Sequence, residues 1–277
     1  MTFPLFAPVD LVEEVPAVGR IVSLAPSNTE IAYYLGLGPQ MVGVCSDSDF
    51  PPDVGRLSRV GRDLQIDAEK VAALYPDLVL ASLTVPGMEK CIDSCLQRGL
   101  DPLILNPAKL EDLFADIEKV GRAAGVPGRA RALNRQLRAE FAGVEGSVKG
   151  RPRPTVYWEW WPKPLITAGS KSWMGDVIRL CGGEPLFVDD VNASHVIAEE
   201  RIVAGDPEVV ALCWCGTLQR KQDPAKVYER PAWSAVRAVL NRRVFAFDEG
   251  LFGRPGPRLA DGARVLANLL HPGAPLA

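Results

Sequence analysis

Ala68-Glu69-Lys70-Val71-Ala72-Ala73-Leu74-Tyr75-Pro76-Asp77-Leu78-Val79-Leu80 occurs a second time, in altered form, as Glu199-Glu200-Arg201-Ile202-Val203-Ala204-Gly205-Asp206-Pro207-Glu208-Val209-Val210-Ala211. With the prolines superposed, Glu69 falls on Glu200, Lys70 on Arg201, Val71 on Ile202, Asp77 on Glu208 and Val79 on Val210. Each copy reads as a short helix, a Pro-acidic turn and a buried strand. Such internal repetition signals duplicated architecture.

A further unit lies upstream of each copy. Arg20-Ile21-Val22-Ser23-Leu24 is an apolar strand; Ala25-Pro26-Ser27-Asn28-Thr29-Glu30 follows, with Ser or Asn as a capping residue before a helix through Leu35. That helix stops at Gly36 and Gly38, and a strand begins at Met41. In the second half the strand is Thr155-Val156-Tyr157-Trp158. A Pro-rich loop follows, then Gly169-Ser170-Lys171-Ser172 as the cap region, a helix through Leu180, and Gly182-Gly183 as its stop. Strands alternating with helices predict an α/β fold of two similar Rossmann-like lobes with mainly parallel sheets.

Between the halves Ala130, Leu133, Leu137, Phe141, Val144 and Val148 recur at the spacing of one helical face. A helix from Pro127 to Lys149 would span about 35 Å at 1.5 Å per residue. Pro127 suits a first turn, and Gly150-Arg151-Pro152 ends it. The expected organisation is an N-terminal lobe over residues 1–125 (1–19 an extended lead-in), a linking helix over 126–150 and a C-terminal lobe over 151–277. A single rigid helix between lobes predicts limited closure.

The 277 residues suit two domains, and 47% apolar with 23% charged is ordinary globular composition. Thirty-one basic against 34 acidic residues leave a net charge of −3, with no basic block of the kind that marks nucleic-acid binding. No run approaches the ~20 apolar residues of a membrane span. The first basic residue is Arg20, and Asp10, Glu13 and Glu14 stand where a secretory leader would be apolar. The expectation is therefore a cytoplasmic chain, unless a leader was removed or lost. Cys91 and Cys95 lie four apart on a predicted helix, and Cys213 and Cys215 two apart on a predicted strand, hence on one face. Without zinc-knuckle spacing they read as buried apolar thiols.

Ligands bind such sheets at the carboxyl ends of the strands, so duplicated lobes would share a cleft there. Its expected lining is Ser27 and Asn28, Ser46 to Phe50 and Ser82 to Pro86 from one lobe. The other supplies Trp158 to Trp161, Trp214 to Thr217 and Asp248 to Phe252. This lining is rich in aromatics and poor in titratable groups. Trp158, Trp160 and Trp161 account for half of the six tryptophans. Strand alternation puts Trp158 and Trp160 on one buried face and Trp161 outside. Because the segment is leaving the strand towards Pro162 and Pro164, at least one of them reaches the cleft. An aromatic, weakly charged cleft suits a large flat or amphipathic ligand.

Catalytic constellations are scarce. There is no phosphate-binding G-x-x-x-x-G-K-[ST], no G-x-G-x-x-G and no G-x-S-x-G. Of the two histidines, His271 lies in the terminal tail and is assigned no role. His195 lies in the polar loop from Asp189, where a ligand or metal contact stands against a solvated loop residue. The reading is a binding protein without catalysis, catalytic cofactor or metal. Glu69 and Glu200 open equivalent helices. A carboxylate there stabilises its helix dipole by ~0.3–1 kcal/mol; alternatively the pair meets two arginine clusters of a twofold partner. Both readings stand on the residues alone.

Further stretches carry a resemblance. Ile21-Val22-Ser23-Leu24-Ala25-Pro26-Ser27-Asn28-Thr29-Glu30, Ser48-Asp49-Phe50-Pro51-Pro52, Pro76-Asp77-Leu78-Val79, Cys181-Gly182-Gly183-Glu184, Glu200 and Pro257-Arg258 resemble the class III, helical-backbone substrate-binding proteins of ABC importers, and most closely the cobalamin binders among them. The resemblance runs from Arg20 onward. It implies two lobes bridged by a helix, a periplasmic or extracytoplasmic setting, a monomer, and Glu69 and Glu200 docking on arginines of a permease dimer. It further implies a corrinoid, cobalamin, as bound ligand, with Phe50, Trp160 and Phe252 as ligand-facing aromatics. Three positions where cobalamin binders of this family carry tryptophan are Ser82, Ser194 and Leu251 here, so the pocket is rebuilt, with Trp158, Trp161 and Trp214 offering other aromatic surface. Haem or a ferric siderophore stays open as ligand, and a carboxylate-rich siderophore would favour cleft arginines such as Arg254. So do a cytosolic corrinoid binder not coupled to import and a cytosolic enzyme or metallochaperone using His195 with Cys213 or Cys215.

Overall fold

The computed structural model describes residues 13–62, 64–187 and 192–274. Two compact units emerge. One holds the described residues up to Pro107 together with Glu111–Arg138; the other holds Ala108–Leu110 and the chain from Ala139.

The first unit is built on a five-stranded sheet in the order Ser58–Arg59, Met41–Val44, Ile21–Ser23, Leu78–Ser82, Leu103–Leu105, with every pairing parallel. Ile21–Ser23 is buried throughout, as a central parallel strand covered on both faces must be. Val22, Val79 and Ala81 pack with Val71 and Ile92 from the covering helices Ala68–Ala73 and Met88–Leu96. The first helix, Pro26–Tyr34, is capped differently from expectation. Ala25 is its N-cap, without a side-chain bond, and Ser27 and Asn28 lie inside the first turn. Pro26 decides this, because its fixed φ and missing N–H suit the first helical position.

The second unit has a mixed sheet in the order Ser194–Val196, Leu165–Ala168, Thr155–Pro162, Val209–Leu212, Val244–Ala246, with Glu184–Pro185 also paired to Thr155–Pro162. Three pairings are parallel, and the two made by Leu165–Ala168 are antiparallel. The strand expected to end at Trp158 runs on to Pro162. The segment expected as a Pro-rich loop is the tight turn of a hairpin, with the prolines confined to its tip, where no ladder N–H is required. The helix Trp173–Leu180 begins as anticipated: Ser172 caps it by accepting from Met174 N. It ends at Gly182, whose φ is +76° and where a Cβ would stand 2.5 Å from His271 Nε2. Only glycine fits there.

The duplication extends to backbone conformation. Tyr75 and Asp206, matched when the prolines are superposed, both adopt the left-handed region, with φ of 46° and 41°. A following proline disfavours the right-handed helical region, and the same turn is made twice.

One helix, Pro127–Val148, runs from the first unit into the second. All six residues of its predicted apolar stripe are buried, from Ala130 to Val148. Its first turn is capped from far upstream: Glu14 accepts from Gly128 N and Arg129 N at 2.9 and 3.0 Å. The bond from the Arg129 backbone is the main reason the Glu14 carboxyl sits below the usual carboxylate range. Asn134 Nδ2 donates to Phe114 O at 2.9 Å, and the Arg138 guanidinium lies over the Phe114 ring while pairing with Glu111.

His271 is buried and its Nε2–H donates to Gly182 O at 3.2 Å. Burial pushes its pKa below 6.5, and the bond to Gly182 opposes that only in part. The unfolded chain thus binds a proton that the folded chain resists, so stability contributed here is present above about pH 6.5 and declines as pH falls below it, at up to ~1.4 kcal/mol per pH unit. Urea unfolding at pH 7.5 and 5.5 should show this loss, and His271→Gln should remove part of the pH dependence.

Candidate ligand-binding residues

Two groups of strand-end residues carry the predicted site, and the structure uses many of them internally. In the first unit Ser27, Asn28 and Ser82 are buried. Asn28 Nδ2 donates to Ala81 O at 2.9 Å, tying the helix start to the strand Leu78–Ser82. Ser27 Oγ donates to Asn28 Oδ1, and Ser82 Oγ shares a hydrogen bond with Thr84 Oγ1 and accepts from Thr84 N. Beneath the neighbouring loop, Thr29 Oγ1 meets Ser48 Oγ at 2.9 Å, and Arg59 donates to the carbonyls of Cys45 and Ser48. This network braces the turn that leads to Phe50. The Phe50 ring is half-buried and stacks on Tyr34, with centroids 6.5 Å apart and planes 28° apart.

In the second unit the Trp-rich strand is buried on both faces from Val156 to Trp160, and a tryptophan emerges only beyond the register shift that follows Glu159. Trp158 and Trp160 are buried, and Trp161 is 39% exposed. Trp158 packs against Phe247, Phe252 and Trp160 at centroid separations of 5.4, 5.1 and 5.7 Å. Trp160 meets Trp173, whose indole N–H donates to Phe252 O at 2.9 Å. Phe252 is wholly buried within this aromatic cluster, on the one-turn helix Glu249–Phe252; Leu251 on the same turn is half-buried. Trp214 is also in the core, with its indole N–H on Glu159 Oε1 at 3.0 Å.

The opposite face of the same strand holds a group that sequence reasoning missed. Glu159 is wholly buried and takes two bonds from Arg230, at 2.8 and 3.0 Å, besides the one from Trp214. Arg230 also lies over the Trp233 ring, and Trp233 Nε1 donates to Glu199. Burial, reinforced by Glu159, raises the nearby Tyr157 hydroxyl far above its ordinary pKa. A glutamate in the middle of a Trp-rich strand was the available signal, since a buried charge requires a partner. That partner lies 71 residues away and has no motif.

Other expectations change. His195 is not in a polar loop: it is half-buried on the edge strand Ser194–Val196, edge-on to Phe187. The preceding Asp189, Asp190 and Val191 lie outside the described residues. Cys213 and Cys215 follow the strand Val209–Leu212 instead of lying on it; Cys213 is buried and Cys215 exposed. The metal-handling alternative fails on register. His195 lies opposite Thr167, Thr167 opposite Glu159 and Glu159 opposite Leu212. Three strand spacings, about 14 Å, separate His195 from the residue beside Cys213. Metal bonds of about 2.0–2.3 Å cannot bridge that, and burial holds the Cys213 thiol well above its ordinary pKa. Among the described residues no three His, Cys, Asp or Glu are grouped to hold a metal. Arg254 is buried, with its Nε 3.4 Å from Glu249 Oε2, so its charge has an acidic partner inside the unit.

Glu69 and Glu200 each occupy the second position of their helices, Ala68–Ala73 and Glu199–Gly205, and both are exposed. Glu69 pairs with Arg98 at 3.0 Å. Asp67 caps the first helix through Glu69 N and Lys70 N, whereas Ala198 offers the second no side-chain cap.

Residues 21–251 match the family model described as periplasmic binding protein. The chain belongs to this family. An uncharacterised ABC transporter substrate-binding lipoprotein of Bacillus subtilis, YvrC, is 30% identical over 259 residues, covering 91% of this chain and 80% of its own. The periplasmic vitamin B12-binding protein BtuF of Vibrio cholerae shares 27% identity at a TM-score of 0.77, covering 91% of this chain and 96% of its own. A periplasmic haem-binding protein from Pseudomonas aeruginosa shares 28% at 0.78, covering 94% of each chain. The two-lobed α/β fold is that of the family, and the chain is an ABC transporter substrate-binding protein of its helical-backbone class. The family binds cargo and does not catalyse, and its setting is periplasmic or extracytoplasmic. No helix among the described residues is long and apolar enough to cross a membrane.

Proposed function

We propose that the cargo is a corrinoid, with cobalamin as the specific ligand, and that Glu69 and Glu200 dock the loaded protein on a permease dimer. The similarity to BtuF, over nearly the whole of both chains, carries this reading. The partly exposed ring of Phe50 and the exposed Trp161 support it, as does the internal pairing of Arg254 with Glu249. A corrin ring asks for apolar contact and few charges.

Haem is the second reading, favoured by an equally similar haem-binding structure. The two cargoes separate chemically. Haem iron takes an axial protein donor, and His195 is the histidine among the candidate residues. Titration with cyanocobalamin and with hemin, each followed by its visible absorbance, tests the reading. Saturable cobalamin binding that survives His195→Ala is expected; a hemin band shift lost in His195→Ala, with no response to cyanocobalamin, would replace cobalamin by haem.

The docking role makes a separate prediction. Glu69→Ala combined with Glu200→Ala leaves cargo affinity intact, and it costs little stability because the exposed Glu69–Arg98 pair contributes at most ~1 kcal/mol. Binding to the detergent-solubilised permease–ATPase complex is expected to fall at least tenfold, in keeping with loss of two charge-assisted contacts. Unchanged co-elution on size-exclusion chromatography would refute the two-point model.

A further inference from the structure

Trp161 lies opposite Ile166 across the hairpin, and Ile166 lies opposite Val196 on the edge strand. Directly opposed residues of antiparallel strands point to the same face, so these three apolar side chains form one row. At 4.7–4.9 Å per strand the row spans about 10 Å. Val196 is 65% exposed and Ile166 half-buried. The ladder shifts register between Glu159 and Trp161. Such a break re-aims a side chain, and here it separates the exposed Trp161 from the wholly buried Glu159 two positions earlier. The Trp161 indole N–H already donates to Lys163 O at 3.0 Å, which leaves the carbon face of the ring as its exposed chemistry.

Three side chains cover far less than the roughly 800 Å² per partner of a stable protein interface. The row also stands at the carboxyl end of Thr155–Pro162, which pairs in parallel with Val209–Leu212; open α/β sheets take small ligands at such ends. We propose that Trp161, Ile166 and Val196 form a platform for the apolar face of the cargo, and thereby select planar macrocycles over ferric chelates rich in carboxylate or hydroxamate. This rests on the cargo-binding reading above and adds to it the residues that read the cargo's shape.

Calorimetric titration of the wild type, Trp161→Ala, Trp161→Phe and Val196→Glu with cyanocobalamin, hemin and ferrichrome tests the platform, with far-ultraviolet circular dichroism confirming that each variant is folded. The expected result is macrocycle binding by the wild type and no ferrichrome binding. Trp161→Ala and Val196→Glu should each weaken macrocycle binding by about tenfold or more, the effect of losing an anchoring aromatic, and Trp161→Phe should recover most of it. Macrocycle binding within twofold of wild type in both Trp161→Ala and Val196→Glu would overturn the platform while leaving the cargo reading intact. A wild type that binds neither macrocycle would overturn both. Dimerisation of the wild type that Val196→Glu abolishes, seen by sedimentation, would reassign the row to contact between copies.

Discussion

Arg230→Met is expected to destabilise the second unit by about 3–5 kcal/mol, because it leaves Glu159 buried without its charge partner. Glu159 has no solvent exposure and the Arg230 side chain only 15%, so water cannot replace the lost bonds without opening the core. The pair joins the strand bearing Trp160 and Trp161 to the segment around the helix Ala225–Tyr228. The double variant Glu159→Gln with Arg230→Met should recover part of the loss, since both charges are then gone. All six tryptophans lie in the second unit, so urea unfolding followed by tryptophan fluorescence reads this unit alone. A loss below ~1 kcal/mol, as for an exposed ion pair, would contradict the assignment.

Trp158→Ala is the other large effect, at about 3–5 kcal/mol, the range for truncating a buried aromatic to alanine. Its ring touches Trp160, Phe247 and Phe252, and these in turn hold Trp173. Trp158→Phe keeps a ring in that space and also removes an indole N–H that has no hydrogen-bond partner among the described residues. It should cost clearly less, and denaturation midpoints of the two variants, measured at constant m-value, give the comparison. Equal losses would mean that the indole's full size, and not aromatic contact as such, holds the cluster.

Much of the architecture was legible because it rests on local periodicity. The 3–4 spacing from Ala130 to Val148 specifies a helix with one buried face, and that helix occupies Pro127–Val148. The two Pro-acidic turns are repeated down to the left-handed φ of Tyr75 and Asp206. Trp158 and Trp160 are buried and Trp161 is exposed, as expected, but the register shift after Glu159, which the sequence does not mark, is what brings Trp161 out. Less legible were features set by distant partners. Pro26 moved Ser27 and Asn28 from the cap into the helix, where Asn28 serves Ala81 53 positions away. The hairpin that extends the second sheet hid behind Pro162 and Pro164, because turn prolines read the same whether strands or coil flank them. Phe252 and Trp214 stand at the expected strand ends, yet the residues they pack against turn them inward. Arg230 offered no pattern at all, and only Glu159's burial gives it meaning.

Equilibrium dialysis of the purified chain against cobalt-57 cyanocobalamin tests the cargo assignment most directly. One cyanocobalamin per chain, displaced by unlabelled cyanocobalamin and not by ferrichrome, is the predicted result. No retained label at protein concentrations that retain hemin or a ferric chelate would contradict it.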